Sequence, residues 1–222
     1  MICQAFKIII ILSLTLINVL TFAQPSINEK YKREAAFEAI KEMKYQGVLV
    51  VRLKTNHVKV KALENTLANQ DLKDGKRKRI QSILDETLTK QNIMNQAMAK
   101  GFLDSFKFCP VYLSYDTSAK SLSAGMKKGI FLNRAMQIDP SISIPDSAIV
   151  FVAYYHEKSG EYPTDGLMIR KLNKKLEEPF PHFTAVRESF VNDVNAPRMR
   201  KAIYILDYKL RSLFARADKK SK

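Results

Sequence analysis

The stretch that decides the fold is residues 148–157, "AIVFVAYYHE", in which every position from Ala148 to Tyr155 is apolar or aromatic. A half-buried strand alternates apolar with polar residues, so an unbroken run indicates a strand covered on both faces. A second run, "VLVVRLK" at 48–54, has the same character. The two runs predict central strands of a sheet that has other elements packed over its faces.

Three shorter patterns predict further strands. They are rich in β-branched and aromatic residues, and they occupy 111–115 ("VYLSY"), 129–133 ("GIFLN") and 167–172 ("LMIRKL"). The turn-rich "KSGEYPTDG" separates the last of these from 148–157, which predicts a hairpin with a long loop. "LEEPFPHF", near 176–183, is predicted to interrupt regular structure.

Helical periodicity separates and flanks these strands. It predicts a first helix with Asn28 as its N-cap and Gly47 at its stop. "NHVKVKALENTLA" at 56–68 predicts a second helix, although "HVKVK" within it also alternates like a strand. The strongest pattern predicts a long helix near 76–106, and the last predicts a C-terminal helix near 197–217 with Pro197 in its first turn. We therefore expect one α/β (or α+β) domain with a mixed sheet of four or five strands flanked by helices.

The first 23 residues have the pattern of a cleaved secretory signal peptide. Lys7 precedes an apolar run from Ile8 to Leu20, and Thr21 and Ala23 occupy the small-residue positions before a cleavage site. An uncleaved membrane anchor is the alternative, but Ile8–Ala23 is shorter than the ~20 residues that span a bilayer. We predict cleavage near Ala23. Residues 24–222 would then be a soluble periplasmic or secreted domain with a short basic tail, "ADKKSK", and no transmembrane segment.

The sequence contains no known catalytic or metal-binding motif. After signal removal Cys109 is the single cysteine, and its place between Phe108 and Pro110 favours a small buried residue over a nucleophile. His57, His156 and His182 have no metal-ligand spacing, and no phosphate loop or nucleophile elbow is present. We expect no cofactor and no metal. A hydrolase or transferase that uses Cys109 with His156 remains the alternative.

The strongest functional signal is positive charge. The formal charge is +15, and loss of Lys7 with the signal leaves +14. The densest basic cluster, Lys76, Arg77, Lys78 and Arg79, is predicted to occupy the first turn of the long helix, where the helix dipole also attracts anions. We interpret these four residues as a hypothetical anion-binding site. Their alternative role is a solvated helix end that keeps the chain soluble.

These observations predict an exported protein that binds non-enzymatically through a basic surface. Export argues against a nucleic-acid partner, although basic charge alone would suggest one. The expected partner is an anionic component of the cell envelope or an acidic protein. An accessory subunit of an envelope machine is a third possibility, and a large exposed apolar patch would be its mark.

Overall fold

The computed structural model describes residues 27–160, 162–186 and 196–220. In this part of the chain, five helices flank a mixed six-stranded sheet, which confirms the predicted fold class with one strand more than expected. The helices are α1 Ile27–Tyr45, α2 His57–Leu67, α3 Asp74–Ser105, α4 Ala119–Ser123 and α5 Ala196–Lys219. The strands are β1 Gly47–Leu53, β2 Val111–Tyr115, β3 Phe131–Leu132, β4 Ile149–His156, β5 Gly166–Lys171 and β6 Phe183–Ala185. The predicted signal peptide lies outside the described residues.

The sheet has the strand order β3-β2-β1-β4-β5-β6. Its centre is parallel, because β1 pairs with β2 on one side and with β4 on the other in the same direction. The remaining pairs are antiparallel, and β4 and β5 form the predicted hairpin. The additional strand, β6, lies at the end of the segment that was predicted to be irregular.

The apolar run in β1 serves two separate cores. Leu49, Val51 and Leu53 enter a large core on one face of the sheet, whereas Val48 and Val50 enter a small core on the other. Because successive side chains of a strand point to opposite faces, a strand that contributes to both cores needs apolar residues at consecutive positions. The sequence pattern therefore has a direct structural cause.

The three long helices α1, α3 and α5 all contribute to the large core. The small core on the opposite face is closed by α4 and by the irregular chain between 130 and 144. The helices pack closely: a Cβ atom at Gly101 of α3 would lie 2.4 Å from Ile203 Cδ1 of α5. A Cβ atom at Gly47 would lie 2.5 Å from the backbone of Met43, so a glycine permits the sharp passage from α1 to β1.

Two predicted element ends need correction. Asn28 lies within α1 and is not its N-cap, because the helix already includes Ile27. The C-terminal helix continues to Lys219, so half of the predicted basic tail is its last turn. Pro197 does lie in the first turn of that helix, as predicted. Among the residues that the structure describes, no helix has the length and hydropathy needed to cross a bilayer.

Candidate functional site

The carboxyl ends of β1 and β4 form one boundary of a large cleft. The chain leaves β1 towards β2 on one side of the sheet, and it later reaches β4 on the other side. The strand order therefore reverses between β1 and β4. In open sheets with parallel strands, ligands bind beyond the carboxyl ends of the strands at such a reversal.

A projecting pair of helices forms the other boundary. Asn95 of α3 accepts a hydrogen bond from the Lys54 N–H (3.1 Å) and donates one to the Lys54 carbonyl (2.8 Å), which places it beside the end of β1. Residues 74–94 of α3 consequently extend beyond the sheet for about 30 Å. They pack against α2, which has no buried residue. We call α2 and residues 74–94 the helical arm.

The cleft between the helical arm and the sheet has a volume of about 1460 Å³. Its apolar part comes from α3, where Ile93 is half exposed and Met94 and Met98 lie deeper. Tyr154 and Tyr155 at the end of β4 contribute aromatic rings on the opposite side. Ligand pockets commonly occupy about 300–1,000 Å³, so this cleft has room for an elongated ligand.

The charges of the cleft balance. Its basic residues are Arg52, Lys54, Arg77, Lys78 and Lys90. Its acidic residues, equal in number, are Asp85, Glu86, Asp116, Glu157 and Asp165. The excess positive charge of the protein therefore lies outside the cleft.

Several of these charged groups hold the protein's own structure. Lys54 Nζ lies 2.6 Å from Glu157 Oε1, and Asp165 accepts hydrogen bonds from the Tyr155 hydroxyl and from the Lys158 N–H. The Lys90 ammonium, 2.6 Å from Glu86, holds the pKa of that carboxyl below its usual range by hydrogen bonding and by its charge. These contacts lie along the walls of the cleft, and the side chains of both ion pairs are largely exposed.

The loop between β1 and α2 is fixed in the same way. Asp116, which follows β2, accepts hydrogen bonds from the Thr55 N–H (3.1 Å) and the Thr55 hydroxyl (2.6 Å) on a single oxygen, Oδ1. Asn56, which follows Thr55 in the chain, adopts a left-handed conformation with φ 50°. Asparagine tolerates this conformation better than most residues. The Arg52 guanidinium stacks over the Tyr154 ring at 4.9 Å. Three neighbouring strand ends are thereby tied together.

One group in the cleft lacks a partner. Within the described chain, the Gln91 side-chain oxygen is buried and accepts no hydrogen bond. A buried acceptor without a donor costs about 1–3 kcal/mol.

The four predicted anion-binding residues surround the start of α3 and differ in their contacts. Lys76, Arg77, Lys78 and Arg79 occupy the first turns of α3, as expected, but consecutive helical residues are about 100° apart around the axis. Arg77 donates to the Leu67 carbonyl (2.6 Å) and the Asn69 carbonyl (2.9 Å), so it stabilises the end of α2. Of the other three residues, which are all exposed, Lys78 alone lines the cleft.

Cys109 and His156 lie at opposite ends of the sheet. Cys109 precedes β2 at the amino end of the parallel strands, and His156 is the last residue of β4 at the carboxyl end. The rise per strand residue separates them by on the order of 20 Å. Cys109 is buried, and desolvation raises its pKa to about 12.

Two of the three histidines share a neighbour: His156 and His182 each pack edge-on against the Tyr162 ring, with ring centroids 5.3 Å and 6.3 Å away. His57 begins α2, His156 ends β4, and His182 lies 3.2 Å from the Tyr162 hydroxyl. Within the ranges that the structure describes, no three or more His, Cys, Asp or Glu side chains are grouped so that they could hold a metal ion.

Of the residues that line the cleft, sequence reasoning named Arg77 and Lys78 as binding candidates and missed those at the strand ends. Asp116 directly follows a predicted strand, and Tyr155 and Glu157 end another. That position is the available signal, because parallel strands end at a common edge of the sheet. No protein-family model, curated protein or solved structure matches this chain.

Proposed function

We propose that this protein is an exported cell-envelope protein that binds an elongated ligand in its cleft without transforming it. The observation that carries the proposal is the cleft itself: about 1460 Å³, at the reversal of strand order, with internal hydrogen bonds and ion pairs along its walls.

The chemistry of the lining indicates the class of ligand. Met94 and Met98 suit apolar groups, while Gln81, Ser82 and Thr89 can donate and accept hydrogen bonds. The balanced charges select neither anions nor cations. A short extended peptide has apolar side chains and amide groups in this combination.

The arrangement of nucleophiles favours binding over catalysis. A nucleophilic cysteine needs a lowered pKa and a base within hydrogen-bonding reach. Cys109 has a raised pKa and lies far from His156. The separation argues against a hydrolase or transferase that uses these two residues together. Export is supported by the signal-like pattern of residues 1–23.

The test uses a matched pair of variants on α3. Ile93 lines the cleft and is 50% exposed, whereas Leu88 is 41% exposed on the same helix and does not line it. Pools of short peptides and of short oligosaccharides are titrated calorimetrically against the wild type, Ile93→Glu and Leu88→Glu. We expect a peptide pool to bind, with affinity at least about tenfold weaker in Ile93→Glu and little changed in Leu88→Glu. Oligosaccharide binding with the same variant pattern would correct the ligand class. Binding by neither pool, or equal losses in both variants, would contradict the proposal.

A further inference from the structure

The outer face of α5 has an unusual composition for an exposed helix. Tyr204 and Tyr208 are 66% and 64% exposed and lie one helical turn apart. Lys201, Arg211 and Lys219 continue the same line along the helix and are also exposed. The opposite side of α5, which includes Ile203, Leu206 and Leu210, is fully buried in the large core. We call the line of Lys201, Tyr204, Tyr208, Arg211 and Lys219 the α5 face.

Positive charge is concentrated on this helix. α5 contains seven basic and two acidic residues, whereas α3 contains six and four. One of the two acids, Asp207, is buried and accepts hydrogen bonds from the Lys107 N–H (2.8 Å) and from Arg211 Nε (2.6 Å). The α5 face itself includes no carboxylate. α5 thus carries a net charge of +5, seven basic minus two acidic residues, as one part of the excess that the cleft lacks.

The neighbouring helix α1 extends the surface. Tyr45 contacts Phe214 at 5.6 Å between ring centroids, and Glu34 lies 3.4 Å from Lys220, so α1 runs antiparallel beside α5. Tyr31 and Tyr45 of α1 are each 69% exposed. They are fourteen residues, or about four turns, apart, so they lie on the same side of α1. Four exposed tyrosines therefore accompany the positive charge.

We propose that the α5 face docks on the surface of a lipid bilayer that carries anionic headgroups. Tyrosine rings have an apolar body and a polar tip, and they settle at the level of lipid headgroups. Each lysine or arginine near an anionic membrane contributes about 1 kcal/mol. The α5 face spans about 27 Å along one helix, so all its members can meet a plane together.

The composition favours lipid over a protein partner. The centres of protein–protein interfaces are depleted of lysine and exclude water around apolar anchors. The α5 face has lysines among its exposed side chains and no exposed Leu, Ile, Val or Phe in its line. The membrane interaction is independent of ligand binding in the cleft, because the α5 face shares no residue with it.

Vesicle flotation tests the docking. The chain from Gln24 is mixed with vesicles of phosphatidylcholine alone or with added phosphatidylglycerol, at low and at high salt. We expect binding to the anionic vesicles alone, weakened by salt. The double variant Lys201→Gln/Lys219→Gln should bind about 30-fold more weakly, from two charges of about 1 kcal/mol each. Tyr204→Ser/Tyr208→Ser should weaken binding at both salt concentrations.

The control removes equal charge elsewhere. Lys76→Gln/Arg79→Gln lowers the net charge by the same two units at an exposed site on the helical arm, and it should bind nearly as the wild type does. Equal losses in the two charge variants, or no binding to phosphatidylglycerol vesicles, would overturn the proposal. So would binding to soluble polyglutamate as tightly as to vesicles with the same variant pattern, since that would indicate an acidic protein partner.

Discussion

At the scale of single residues, burial decides the chemistry of Cys109. Its side chain is 8% exposed, and desolvation raises its pKa from the ordinary 9.0 to about 12. The charge of Lys44 opposes this shift, and that of Asp207 adds to it. Since the thiolate is the reactive form, the native thiol is inert at neutral pH.

The raised pKa of Cys109 predicts a loss of stability in alkaline solution. Above pH 9.0 the unfolded thiol loses its proton while the folded thiol keeps it until about pH 12, so deprotonation favours the unfolded chain in that range. We expect the free energy of unfolding to fall by about 1 kcal/mol more per pH unit in the wild type than in Cys109→Ala. Urea denaturation at several pH values measures it. Parallel pH profiles, or rapid alkylation of native Cys109 at pH 7, would contradict the expectation.

At the scale of elements, α3 performs two tasks. Its second half packs against the sheet and α5, and Gly101 allows the close approach of Ile203. Its first half leaves the sheet and becomes a wall of the cleft. Asn95 lies at the junction, where both of its hydrogen bonds to Lys54 fix the level at which the helical arm departs.

Loss of the Asn95 side chain should therefore destabilise the protein. Asn95→Ala removes a buried side chain together with both of its hydrogen bonds to the Lys54 backbone, at a cost of about 2 kcal/mol. Asn92→Ala is the control, because Asn92 is exposed on the same helix and should cost less than about 0.5 kcal/mol. The midpoints of urea denaturation compare the stabilities of the two variants. Equal changes would show that Asn95 has no special role in anchoring the helical arm.

At the scale of the whole molecule, charge is distributed unevenly. The cleft is lined by equal numbers of basic and acidic residues, and the surplus of basic residues in α5 faces outward. The protein can then bind an elongated ligand in the cleft while its positive surface contacts an anionic membrane.

The proposed export of the protein leads to a separate prediction about its processing. In a secretion-competent bacterial host, the protein should be recovered from the periplasm or medium with Gln24 as its first residue. Ala23→Arg should prevent processing, because signal peptidase reads a small residue at that position. Intact mass and N-terminal sequencing measure the outcome. A wild-type protein that retains residues 1–23 would support the anchor alternative instead.

The sequence predicted most of the fold because its strongest patterns are local. Continuous apolar runs located β1 and β4, and helical periodicity located α3 within two residues of its ends. β6 was missed because a strand of three residues, Phe183–Ala185, carries too little pattern of its own. Its pairing with β5 stabilises it, and that pairing is a long-range contact.

Residue order alone therefore established which segments form strands and helices, and that the chain as a whole is strongly basic. The spacing of apolar residues along the chain carries that information. A strand buried on two faces and a helix buried along one stripe each require apolar residues at fixed intervals. Only the folded chain decided that Lys54, Asp116 and Glu157 meet around one cleft, that Cys109 and His156 do not meet, and that Arg77 stabilises a helix end. These facts depend on the order and direction of strands, which pair residues about a hundred positions apart.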